Sequence, residues 1–180
     1  MVDKFKAEVV RNYALLIDKV EQEDGLVLNQ GAVRWDGAGN LRYSKTSERE
    51  RIFSSGYYLT PAKLVAGTKS PMNYEVQHKY ADGRTAREIA KGSMLVKGQE
   101  TVRTPAGEFK AWRVEIDVLA YFENVAGTTN WSFVGWYVPE LRAYVAYDDE
   151  ARNSNGSFSR RDRHELTSFQ VRGADNLAQR

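Results

Sequence analysis

Gly98–Asp117 reads GQETVRTPAGEFKAWRVEID and spells a β-hairpin in full. Thr101–Thr104 is a short extended run, Pro105-Ala106-Gly107 is a turn, and Phe109–Val118 is a long strand. Proline holds φ where the second position of a turn needs it, and glycine accepts the positive φ that other residues avoid. Period-two alternation places Trp112, Val114, Ile116 and Val118 on one face, expected toward a core, and Arg113, Glu115 and Asp117 on the other.

The same grammar extends in both directions. Ala32–Trp35 and Leu41–Tyr43 flank Asp36-Gly37-Ala38-Gly39-Asn40, a hairpin loop. Asn73–Ala81 alternates, with Tyr74, Val76, His78 and Tyr80 on one face, and Asp82-Gly83 turns the chain back. Trp131–Val138 is a further strand, closed by Pro139, which lacks the ladder donor. Tyr144–Tyr147 is the next strand, Ala151–Arg161 reads as a hairpin loop around Asn155-Gly156, and Arg163–Val171 is the last strand. Two segments are ambiguous. Ala7–Val20 fits a 3.6-residue period and also a buried strand, with strand the expectation; Thr85–Lys91 fits either a short helix or a continuing hairpin. The fold class expected is mainly β: a single antiparallel, strongly curved sheet or half-barrel with at most one or two short helices. It forms one domain over residues 1–172, with a frayed tail over 173–180.

Composition narrows the chemistry. A chain of 180 residues with 42% hydrophobic and 28% charged residues can bury a core without crosslinks. With no cysteine it has no disulfide framework, thiolate metal site or cysteine nucleophile. A net charge of +2, from 26 basic and 24 acidic residues, gives no general footprint for nucleic acid or anionic membranes. No apolar run approaches the roughly eighteen residues that a membrane helix requires. The two histidines, His78 and His164, lack metal-ligand spacing, so no metal or cofactor is expected. His78 reads as a buried histidine bonded to a neighbour, and His164, inside the basic run Arg160–His164, as solvated.

The phrase Glu100-Thr-Val-Arg-Thr-Pro-Ala-Gly-Glu-Phe-Lys-Ala-Trp-Arg-Val-Glu, with the later Trp136-Tyr-Val-Pro-Glu-Leu, resembles a bacterial family of uncharacterised envelope proteins. That family carries V-P-A-G-x-F-x-A and W-Y-x-P-E phrases, and the likeness spans Leu59–Val171. It implies a half-barrel similar to lipoprotein carriers, a periplasmic or secreted location behind a signal segment, and no assigned activity. This chain has Leu141-Arg142 where the family places glycine after Pro-Glu.

Aromatic side chains are the best functional candidates. Trp131, Phe133 and Tyr137 alternate onto one face, with Val134, Trp136 and Val138 on the other. Burying one Trp is worth up to ~4–6 kcal/mol at ~25 cal/mol per Å², so core duty explains much of this pattern. The ligand reading instead has the three face a cavity, with Arg113 as the charged part of a groove, and hold a lipid-like small molecule or a partner peptide without catalysis. The alternatives are an interaction module acting through an edge strand, and a hydrolase in which Glu115, Asp117 and His78 converge.

Overall fold

The computed structural model describes residues 9–19, 26–28, 32–36, 40–54, 57, 59–123 and 126–172. The tail over 173–180 and the centre of the loop at 37–39 lie outside the described residues. Eleven strands are described: β1 (Val9–Lys19), β2 (Leu26–Leu28), β3 (Val33–Trp35), β4 (Leu41–Lys45), β5 (Arg49–Phe53), β6 (Lys69–Tyr80), β7 (Thr85–Thr104), β8 (Gly107–Phe122), β9 (Thr129–Val138), β10 (Ala143–Asn153) and β11 (Phe158–Arg172). A 3-10 turn, Pro139–Leu141, stands between β9 and β10, and Arg142 leaves it in the left-handed region at φ 51°. No helix among the described residues is long and apolar enough to cross a membrane.

The expected single, strongly curved, mainly antiparallel sheet is present. Strands β6 to β11 follow one another as antiparallel neighbours and form the half-barrel. The sheet is not wholly antiparallel, because β1 runs parallel to β11 while pairing antiparallel with β2. Through short strands β2 to β5 the hydrogen-bonded order then returns on itself. Both ambiguous segments are extended where described: Val9–Lys19 of the first is β1, and Thr85–Lys91 opens β7, while residues 7, 8 and 20 lie outside the described residues.

The opening hairpin is longer than read. Thr101–Thr104 ends a twenty-residue strand, and its partner runs on to Phe122. Val114, Ile116 and Val118 are buried as expected, but Trp112 is only half-buried and Ala111, on the other face, is fully buried. A bulge explains the switch. Val96 faces Val114 but Gly98 faces Arg113, so Lys97 is an extra residue and Gly98 takes φ +151°. A bulge rotates the side chains beyond it and sharpens the local twist. Past it the buried side of the hairpin changes, and its tip reaches β11, where the Ala106 N–H donates to the Leu166 carbonyl at 3.0 Å.

Two clusters result. The larger joins Met72, Met94, Val114, Ile116 and Phe133 on the interior face; the smaller gathers Val102, Ala111, Val138, Val145 and Leu166 around the hairpin tip. Between β5 and β6, Tyr57 packs into the interior: it stacks on Phe53 at 4.6 Å and meets Tyr74 edge-on at 4.3 Å. Leu64 packs on the larger cluster, and the Leu59 carbonyl accepts from the Tyr144 hydroxyl.

The expected loop of the last hairpin is corrected. β10 runs to Asn153 and β11 starts at Phe158, so the predicted 151–161 loop is only a short turn around Gly156. The acidic run Asp148-Asp149-Glu150 and the basic run Arg160–Arg163 are therefore adjacent strand segments, not loops. Arg163 meets Asp148 at 3.0 Å, Arg160 meets Asp149 at 2.6 Å and Arg161 meets Glu150 at 3.8 Å. Charge complementarity across the ladder favours strand where composition alone suggested a solvated turn.

Candidate functional site

Strand β9 places Trp131, Phe133 and Tyr137 on the interior face, with Gly135 between the last two. An added Cβ at Gly135 would lie 2.5 Å from both Phe133 and Tyr144 ring atoms, so two rings fill the space that a side chain would take. Phe133 meets Tyr144 edge-on at 5.0 Å and stacks on Tyr147 at 5.3 Å; Tyr137 meets Tyr144 at 5.4 Å and Trp131 lies 5.7 Å from Phe133. The Trp131 Nε1–H donates to the Asp149 carboxylate.

Phe133 and Tyr137 are enclosed in the larger core cluster, at 5% and 7% exposure, while Trp131 is half-buried. Core packing thus accounts for two of the three aromatic candidates. Arg113 is not with them. It faces Trp136 in the register, on the opposite side of the sheet, and pairs with Glu115 at 2.9 Å, while Lys97 approaches the same carboxylate at 3.7 Å. His78, Glu115 and Asp117 do not converge: His78 is interior, whereas Asp117 is exposed and accepts from the Ser132 hydroxyl at 2.8 Å.

Several interior groups have no period-two signal in the sequence. A bulge between Tyr144 and Ala146 lets Tyr144 and Tyr147, three residues apart, both point inward, opposite Tyr137 and Gly135. His164 stacks on Tyr147 at 4.3 Å with the rings 12° from parallel, so its expected solvation is corrected. Because β11 begins at Phe158, alternation turns Asp162 and His164 inward along with Arg160. Burial lowers the His164 pKa, against the pull of Asp149 and Asp162.

Charge is concentrated at one end of this interior. Asp162 is 8% exposed and meets Arg11 at 3.2 Å; Asp149 holds both Arg160 and Trp131. His78, 2% exposed, bonds Glu88 through Nε2 at 2.9 Å, as its reading anticipated, and its Nδ1 has no partner among the described residues. Arg51 faces His78 across the β5–β6 ladder, and its Nε donates to the Ser44 hydroxyl at 2.8 Å. Burial holds the Arg51 guanidinium below its ordinary pKa and raises those of Tyr57, Tyr74 and Tyr144, with Tyr147 pushed up to about 12. Among the described residues no group of three His, Asp or Glu side chains is placed to hold a metal ion.

No protein-family model, curated protein or solved structure matches this chain.

Proposed function

We propose that this protein is a non-catalytic binding module for an apolar or amphipathic, lipid-like ligand, held inside the curled sheet. The observation that carries this reading is the composition of the interior. Its centre is apolar, with Met72, Met94 and Ile116 almost fully enclosed, yet its other end keeps Arg51, His78, Asp149, Asp162 and His164 buried or half-buried. Burying charge costs several kcal/mol per ion unless partners recover it, and an interior selected only for packing would replace such groups with apolar ones. Departures from packing rules of this kind concentrate at functional sites.

The site moves accordingly from the three β9 aromatics toward this charged end, where Trp131, Tyr147 and His164 remain half-buried. A tail inserted beyond them would displace side chains of the 59–68 connection, which covers the core with Leu59 and Leu64. A periplasmic location suits a lipid carrier and follows from the envelope-protein likeness of the Glu100–Glu115 and Trp136–Leu141 phrases. An edge-strand module needs an unpaired ladder, and the pairing order that closes through β1 offers little of one.

Native mass spectrometry of the protein purified from its own host tests the reading. A co-purifying small molecule, lost on denaturation, is the expected result. A bare chain mass, together with unchanged tryptophan fluorescence on adding long-chain acids and alcohols, would refute it.

A further inference from the structure

The arginines of this protein mostly rest on carboxylates: Arg160 on Asp149, Arg11 on Asp162, Arg87 on Glu75 and Glu123. Arg51 departs from that pattern. It lies on the interior face of β5, between Ser44 at 4% exposure and His78 at 2%, and among the described residues no carboxylate is within ion-pair distance of it. Its guanidinium carbon sits 5.6 Å from the centre of the Phe53 ring. Burial holds its guanidinium below the ordinary pKa, with Arg49 and Arg160 acting in the same direction and Tyr57 and Glu88 against it. Next to it in the register, the buried Nδ1 of His78 is also without a partner. A guanidinium offers five donors in a planar fork that matches a carboxylate. Here one of the five is used by Ser44.

We propose that Arg51 anchors the carboxylate head of the amphipathic ligand, with His78 Nδ1 beside it and the acyl chain directed toward the Phe53, Tyr74 and Ile116 side of the core. The inference rests on the ligand-binding reading above and specifies its chemistry: a long-chain carboxylate rather than a neutral lipid. A carboxylate seated there supplies an ion-pair partner that no described carboxylate provides, and the bond is of the charge-assisted class.

The test compares palmitate with hexadecanol, two probes with chains of equal length, on the wild-type protein and on Arg51→Met and Arg51→Lys. Folding of each variant is checked by near-ultraviolet circular dichroism. In Arg51→Met, palmitate binding is expected to weaken by roughly 10- to 100-fold, as for loss of a hydrogen bond to a charged group. Hexadecanol binding stays within about twofold of wild type, and Arg51→Lys retains part of the palmitate affinity because it keeps the charge but loses the fork. If both probes bind and the Met variant weakens neither, or both equally, the Arg51 anchor is overturned while the apolar-ligand reading stands. If neither probe binds the wild-type protein, both are overturned.

Discussion

Substituting Gly135 by alanine puts a methyl group where the packing has no room. The new Cβ would lie 2.5 Å from Phe133 Cε1 and from Tyr144 Cδ1, and 2.6 Å from Tyr144 Cε1. Carbon atoms prefer about 3.5–4.0 Å, so the rings must withdraw by roughly 1 Å or the strand must shift. Overpacking of this kind costs about 1–3 kcal/mol, and spoiling the edge-on Phe133–Tyr144 pair adds about 0.5–1.5 kcal/mol. The stiffer unfolded chain returns about 0.4–1 kcal/mol, leaving Gly135→Ala destabilised by roughly 1–3 kcal/mol. Urea unfolding followed by tryptophan fluorescence should show the midpoint falling by about 1 M at an ordinary slope of about 1–3 kcal/mol per M. Adding Phe133→Leu should then cost less than the two single effects summed, because the smaller side chain makes room for the methyl. A midpoint at or above wild type, or strict additivity in the double variant, would refute the placement of these rings over Gly135.

Two further outcomes depend on pH. Tyr13, Tyr57, Tyr74, Tyr137, Tyr144 and Tyr147 all have folded-state pKa values raised by burial. Their contribution to stability is whole below the unfolded value of about 10 and is lost as pH rises through that value toward the folded ones. At about pH 11 the folded protein should show only part of its tyrosinate absorbance, the remainder appearing together with unfolding; complete ionisation with circular dichroism unchanged would contradict the burial. His164 has the opposite sign. Its folded pKa lies below the unfolded value of about 6.5, so its contribution is present above that pH and declines as pH falls toward the folded value. The urea midpoint should drop more between about pH 7.5 and about pH 5.5 in wild type than in His164→Gln, and equal drops would show that His164 is not buried against Tyr147.

The hairpin around Pro105-Ala106-Gly107 was legible because turn chemistry and alternation agree there, and Gly107 does take the positive φ the turn requires, +136°. The extent of its strands was not. Residues 85–91 fit a short helix as well as a strand by local pattern; the segment is held extended by its partners, as where Arg87 forks onto Glu75 at 2.6 and 3.0 Å across the β6–β7 ladder. The Lys97 bulge was equally hidden, since a one-residue irregularity leaves composition unchanged while it alters which side of the sheet is buried beyond it. The parallel partnership of β1 with β11 joins residues about as far apart in sequence as the chain allows, with Tyr13 opposite Leu166, and local pattern carries no signal for it.

The charged interior was illegible for a sharper reason. His78 apart, each of its groups, read singly, belongs to a run that normally meets water, and its direction depends on where a strand begins. With β11 starting at Arg163, the basic run before it is loop; with the start at Phe158, alternation sends Arg160, Asp162 and His164 inward and leaves Arg161 and Arg163 to the other face. That five-residue extension is favoured only if β10 also continues past Tyr147, because Asp149 is what receives Arg160 and Glu150 what receives Arg161. Two strand ends thus stabilise each other through ion pairs that exist only once both are formed. A coupled choice of this kind cannot be made one segment at a time, and it decides whether the barrel encloses hydrocarbon alone or a set of charges as well.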